Sequence, residues 1–311
     1  MYLVTGGAGF IGSHLLRGLN AVGIYDVMVV DDLQRPVKAA NLDGCRFEDL
    51  IDKVSFRNLL RSRKLPRLDA VWHLGACTDT TCNDIAYLND NNVGFSIELL
   101  DAALSNRVPF VYASSSAVYG SRSDRPEPIG ALNPYAASKL SFDEYVGTTI
   151  NGVASTLVGF RYFNTYGPGE RHKGHMASMV YQIFRQLMAD GVARLYEGTG
   201  GFDAGEQRRD FVHISDVVRL NLSAVNGGVR RGVVDVGTGR SRSFNEVVAA
   251  FAARLGFGAA TYVPIDPAIK NRYQSYSQAD LTGLRALNLP IPQVSLEDGI
   301  AMSISAWLAE H

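Results

Sequence analysis

The first fourteen residues constrain the fold more than any other stretch. Met1-Tyr2-Leu3-Val4 is a short apolar run, Thr5-Gly6-Gly7-Ala8-Gly9-Phe10-Ile11-Gly12 follows, and a helical pattern begins at once. The order strand, glycine-rich turn, helix predicts a phosphate loop. Gly6 permits the tight turn, Gly9 lets backbone approach a pyrophosphate, and Gly12 lets the helix pack on the strand. Unpaired N–H groups at the helix start, around Phe10 and Ile11, favour a bound anion. A second apolar run, Val27 to Val30, ends in Asp31-Asp32, where an acid commonly holds a ribose hydroxyl. A surface turn that uses glycine for geometry alone is the competing explanation, but strand, loop, helix, strand and acid all arrive in sequence.

The chain's 311 residues are 46% hydrophobic and 20% charged, enough for a large core in one or two domains. A formal net charge of -1 gives no field that favours nucleic acid or a membrane surface. No apolar run is long enough to span a bilayer, and Met1 leads straight into strand and loop, so no signal peptide is expected. Three cysteines, Cys45, Cys77 and Cys82, fit a reducing, cytoplasmic setting and lack the spacing and histidine partners of a metal site.

Helix is expected from Phe10 to Val22, from Lys53 to Arg63, from Asn89 to Asn106 and from Pro134 onward. Strand is expected over Cys45 to Ile51, Asp69 to Ala76 and Val108 to Ala113. Regular alternation of this kind predicts an α/β fold, a Rossmann-type doubly wound parallel sheet. Arg35 and Lys38, behind the acidic pair, offer cations for a ribose 2′-phosphate and so favour NADP, while Asp31-Asp32 favours NAD; ordinary solvated loop charge explains the cations equally well. His73, inside an apolar strand, is expected to be a satisfied core residue rather than a catalyst.

The chemistry concentrates at Tyr135-Ala136-Ala137-Ser138-Lys139. Tyr135 and Lys139, four residues apart, project from one helical face. A phenol titrates near 10, and a neighbouring ammonium favours its ionised form. Ser115, at the preceding strand end, can bridge to a reacting oxygen. Further on, Met176 to Asp190 reads as helix and Arg194 to Glu197 as strand. Arg209 to His213 leads into a helix from Ser215 to Asn226, expected to return to the first domain. Val233 to Gly237 reads as strand, and Ser243 with Glu246 forms a capping-box pattern.

The loop Thr5–Gly12, the strand end Ser114–Ser116 and Tyr135-x-x-x-Lys139 resemble the extended short-chain dehydrogenase/reductase family, and the resemblance covers most of the chain. Arg161-Tyr162-Phe163-Asn164-Thr165-Tyr166-Gly167-Pro168, Glu170 to Ser178, Tyr196-Glu197-Gly198, Arg209-Asp210-Phe211-Val212 and Lys270 to Gln274 are similar to that family's epimerases of ADP-linked heptose. The resemblance implies NADP-mediated removal and return of a hydride at the sugar 6-position, with no net redox change. It implies two acid/base residues, Tyr135 for one face and Lys173 for the other, with Ser115 and Lys139 assisting. The scarcity of lysine, six among 30 Lys+Arg, is consistent with a dedicated Lys173.

Further cofactor contacts are implied at Lys53, Leu74, Gly75, Ala76, Cys77, Thr78, Asn91 and Thr165. Sugar-nucleotide contacts are implied at Asn164, His175, Gln182, Tyr196, Glu197, Gly198, Thr199, Arg209 and Tyr273. Serine is usual in place of His175 and histidine in place of Gln182, and the loop 200–207 is long for the family. The cofactor domain is expected to comprise 1–167 and 208–238, and a substrate domain 168–207 and 239–311. A homo-oligomer, with a pentamer among its forms, is also implied. A related 4-epimerase or dehydratase, or a non-catalytic NADP-binding protein, stands as the alternative. The Ser115-Ser116 region lacks the acidic pair of a dehydratase, and a non-catalytic relative often loses the Tyr or Lys retained here.

Overall fold

The structure, a computed structural model, describes residues 1–34, 36–121, 130–267 and 273–310. Arg35 and Lys270 to Arg272 lie outside the described residues. The centre is a seven-stranded parallel sheet built from β1 (Tyr2–Thr5), β2 (Val27–Asp31), β3 (Asp49–Asp52), β4 (Ala70–His73), β5 (Phe110–Ser115), β6 (Leu157–Tyr162) and a late strand, Arg231–Val236. From that late strand the spatial order runs β6, β5, β4, β1, β2, β3. Every residue of β2 and β4 is buried, as expected of strands covered on both faces.

Helices α1 (Phe10–Ala21), α2 (Lys53–Arg61), α3 (Ile85–Leu88), α4 (Phe95–Ser105) and α5 (Pro134–Thr149) connect the early strands. Leu15, Leu16 and Leu19 of α1 share one core with Val217 and Leu220 of a later helix, Ile214–Ala224. Phe56, Leu99, Leu100, Phe142 and Val146 cover the other face. The expected return of the chain from 215 to the first domain is therefore observed. The helix expected from Asn89 begins earlier, at Ile85, where the Asp84 side chain caps it. It also contains a wide π turn over Asn89–Gly94, an irregularity that a 3.6-residue apolar pattern does not reveal.

A second body packs α6 (Met179–Asp190), the helix Phe244–Leu255 and the C-terminal helix Leu296–Glu310 around Phe184, Phe251 and Trp307. The Ser243–Glu246 capping box forms as expected. Two features cross the expected domain division. Strand Arg208–His213 joins a small sheet with Asn164–Tyr166 and Ser241–Ser243 rather than the large one. Leu284 and Leu289 pack in the large sheet's core beside Val234. Chain proximity does not decide which sheet a strand joins; its hydrogen-bonding edge does. Among the described residues no helix is long and apolar enough to cross a membrane.

Candidate active site

The strand order reverses between β1 and β4, and in open α/β sheets ligands bind at the carboxyl ends flanking such a reversal. The phosphate loop ends β1 and the turn Leu74–Cys77 ends β4. The two meet: a Cβ on Gly6, whose φ is +69°, would lie 2.7 Å from Gly75 Cα, and one on Gly12 would fall on the Gly6 carbonyl oxygen. Gly75 N–H donates to Thr5 Oγ1 at 3.1 Å. Gly9 precedes α1 with no side-chain cap. This glycine cradle at a helix N-terminus fits a dinucleotide pyrophosphate, and the acidic edge beside it suits a ribose hydroxyl.

That edge is more occupied than its sequence indicates. Asp31 accepts from Ala8 N–H at 2.8 Å, from Asp32 N–H at 2.7 Å and from Lys38 Nζ at 3.0 Å. It braces the loop. Asp32 pairs with Lys53 Nζ at 3.1 Å, and Lys53 also reaches Asn91 Oδ1 at 3.5 Å. Each acid thus has a cation beside it, and Lys38 is not free. Asn92, next to Asn91 in the π turn, accepts from Cys77 N–H at 2.8 Å and donates to Cys77 O at 2.9 Å and Ser138 Oγ at 3.0 Å. It locks the β4 turn at Cys77 against α5. Sequence alone did not single it out, because its partners are set by the π turn.

His73 is buried between Thr5 Oγ1 and Ser96 Oγ, each 2.7 Å away. Burial pulls its imidazole down to about 3, with the nearby Lys139 charge adding to the effect. It is the satisfied core histidine that its setting predicted.

On α5, Asn133 caps Ala136 N–H at 2.8 Å with Pro134 in the first turn. That start places Tyr135 and Lys139 on one buried face, 8% and 7% exposed. Tyr135 and Ser115 share a hydrogen bond that lowers the phenol's pKa, against burial, which raises it more. Lys139 Nζ instead donates to Ala113 O at 2.8 Å. Ser115, rather than the expected ammonium, is therefore what favours phenolate here. Burial brings Lys139 down to about 8, partly offset by Asp143. Asp143, one turn further on α5, accepts from Tyr112, Ser114 and Arg161 at 2.8 to 2.9 Å.

The opposite side of the crevice comes from turns. Lys173 lies in Arg171–Met176, paired with Glu170 at 2.9 Å and 5.0 Å above the Phe10 ring. His175 is exposed. Gln182 donates to the carbonyls of Ala177 at 2.6 Å and His175 at 3.2 Å, so it fastens backbone. Asn164 donates to Asp210 O at 3.3 Å, and Thr165 Oγ1 turns back to Phe163 O at 3.3 Å.

Arg209, Tyr196 and Tyr273 converge. The Arg209 guanidinium sits 5.2 Å over the Tyr273 ring and hydrogen-bonds its hydroxyl, and the two tyrosine rings are 5.5 Å apart. A buried arginine flanked by aromatics suits a phosphate-bearing ligand. Glu197 and Gly198 stand exposed at the start of the long loop, with Thr199 paired to Phe202.

Residues 2–237 match the model of the NAD dependent epimerase/dehydratase family. The chain belongs to that family. It is 45% identical to an ADP-L-glycero-D-manno-heptose-6-epimerase of Alkalilimnicola ehrlichii, over 98% of this chain and 97% of that one. Among solved structures it superimposes on the Helicobacter pylori ADP-L-glycero-D-manno-heptose-6-epimerase with a TM-score of 0.84 at 31% identity, covering 99% of this chain and 96% of that one. It superimposes on the Thermus thermophilus UDP-glucose 4-epimerase in complex with NAD with a TM-score of 0.78 at 29% identity, covering 100% and 99%. The chain is thus an enzyme of the epimerase type with a nicotinamide cofactor, as its glycine cradle and Tyr135–Lys139 pair predicted.

Proposed function

We propose that this enzyme interconverts ADP-D-glycero-D-manno-heptose and ADP-L-glycero-D-manno-heptose, with NADP held in the sheet crevice. The carrying observation is that two proton-bearing groups come from different elements: Tyr135 on α5, joined to Ser115, and Lys173 in the turn before α6, held over Phe10 at the phosphate loop. Inverting a carbon through a flat ketone needs a proton donor or acceptor on each side.

When bound, the nicotinamide supplies a reversible hydride acceptor. Tyr135 takes the proton of the 6-hydroxyl on one face, with Ser115 orienting that oxygen. Lys173 delivers a proton to the oxygen presented by the other face. Lys139, charged below about pH 8 and held at Ala113 O, anchors a ribose, while Ser115 favours negative charge at Tyr135. Arg209, Tyr273 and Tyr196 hold the diphosphate end. Lys38 and Lys53 offset Asp31 and Asp32, which makes the edge of β2 tolerant of a 2′-phosphate and supports NADP. Such an enzyme serves the cytoplasmic assembly of the lipopolysaccharide inner core.

The test is a proton NMR time course in heavy water with ADP-D-glycero-D-manno-heptose and no added cofactor. Conversion with the 6-proton retained supports internal hydride return. Deuterium at that carbon overturns the hydride route. No conversion, with cofactor still bound, moves the substrate to another sugar nucleotide, UDP-hexoses first. Identification of the extracted cofactor by mass separates NADP from NAD.

A further inference from the structure

Glu170 has no accessible surface, although it lies in a connecting turn. A carboxylate taken out of water costs several kcal/mol unless it is paired and hydrogen-bonded. Here it accepts from Lys173 Nζ at 2.9 Å, Ser178 N–H at 2.6 Å, Ser178 Oγ at 2.7 Å and Gly167 N–H at 3.3 Å. Ser178 in turn caps α6 by accepting from Tyr181 N–H at 3.2 Å. One carboxylate therefore ties together the start of the turn, the start of α6 and the Lys173 ammonium between them.

The same turn is fastened to the cofactor side. His14 Nε2 lies 2.8 Å from Pro168 O. Asn41 Nδ2 donates to Ala8 O at 2.9 Å and lies 3.0 Å from His172 Nδ1. Lys173 itself sits over Phe10, the first residue of α1. Its ammonium is thus bounded by Glu170 on one side and the phosphate-loop helix on the other. A lysine has four rotatable carbons, and a free one would sample many positions.

We propose that Glu170 is the positioning residue for Lys173, setting that ammonium against the phosphate loop so that it faces the reacting oxygen. This rests on the assignment of Lys173 to the second face of the sugar. Glu170 Oε2 serves Lys173 Nζ and Ser178 N–H together, whereas the Ser178 hydroxyl that caps α6 meets Oε1, so the cap can be removed at Ser178 without touching the Lys173 contact.

Glu170→Gln removes the charge facing Lys173 and keeps one of the two acceptor oxygens, its amide NH2 meeting either Lys173 Nζ and Ser178 N–H or Gly167 N–H and Ser178 Oγ. It should lower kcat about 10- to 100-fold with KM nearly unchanged, the scale of a misplaced reacting group. Glu170→Gln added to Lys173→Met should cost no more than about twofold further, because groups that act as a unit are not additive. Ser178→Ala should lower the melting temperature and leave kcat within about twofold, the behaviour of a helix cap. Wild-type kcat in Glu170→Gln, full additivity with Lys173→Met, or an equal kcat loss in Ser178→Ala would each overturn the proposal.

A second measurement needs no turnover. Acylation of Lys173 by an amine-reactive ester, read by peptide mass spectrometry, should be several-fold faster in Glu170→Gln than in wild type. Equal labelling rates overturn the clamp. If wild type is inert toward ADP-heptose, the substrate assignment fails, and labelling alone still decides whether Glu170 holds Lys173.

Discussion

The two walls of the crevice are built on different plans. The wall that carries Tyr135, Lys139 and Ser115 is made of strand ends and one helix, with Tyr135 and Lys139 buried, Ser115 half-buried and Lys139 satisfied by a strand carbonyl. The wall that carries Lys173, His175, Glu197 and Tyr273 is made of turns, with several side chains exposed. Chemistry common to a family needs fixed geometry, which the sheet supplies. Choice of sugar needs variable contacts, which turns supply at low cost to stability.

The largest effect expected from this contrast is on chemistry without stability. Tyr135→Phe should lower kcat about 100- to 10,000-fold, the range for a lost general acid–base group. It should slow one direction of proton transfer more than the other, and the melting temperature should hold, since the ring stays packed. Rates from NMR and a thermal melt check both. Equal, near-wild-type turnover in both directions would remove Tyr135 from its role.

The converse, stability without a direct chemical role, is expected at Asp143. It faces Arg161 Nε at 2.8 Å, with the carboxylate 3% and the guanidinium 13% exposed. Asp143→Ala leaves that cation buried and unpaired and should cost about 3 to 5 kcal/mol in a denaturant melt. A cost near zero would show that the sheet-side wall is no more rigid than the turns.

How much of each wall was legible follows from the range of its interactions. Gly6 and Gly12 were readable because loop geometry is set within eight residues. The Ser243–Glu246 box and the Asn133 cap are equally local. His73 was readable as core because its apolar neighbours are adjacent in sequence. Asp31 was not: its swing to Ala8 and Lys38 depends on β1 and β2 lying side by side. The π turn at Asn89–Gly94 departs from the helical period, so no role for Asn92 could be read. The sheet that strand Arg208–His213 joins could not be read, because apolar content signals burial and not the partner edge. Gln182 and Glu170 resolve only once the chain's turns are closed on α6.

A subtler test of the sheet-side wall uses pH. Burial lowers Lys139 from 10.5 to about 8, with Asp143 opposing. Below about pH 8 both folded and unfolded states hold the proton, and the cost of the buried charge is fully present. Between about 8 and 10.5 the folded state has released it while the unfolded state still binds it, so this residue's contribution makes stability rise with pH. Lys139→Met should lack that rise. Urea melts of the two proteins at several pH values between 7 and 10.5 check it, and parallel curves would mean that Lys139 is hydrated rather than buried.

The smallest effect is expected at the turn-side wall, at His175, where serine was expected. His175 is exposed, and its backbone carbonyl accepts from Gln182 Nε2 at 3.2 Å. If the turn holds its shape through Gln182 and Glu170, the side chain at 175 is free to change without moving Lys173. His175→Ser should then leave stability within roughly 0.5 kcal/mol and kcat/KM within about twofold, as at other exposed positions. A much larger rise in KM, with kcat steady, would mean that the imidazole contacts the sugar nucleotide and that the turns, not the sheet, carry the selectivity of this chain. Gln182→Ala separates the two cases, because it loosens the turn while leaving the imidazole in place.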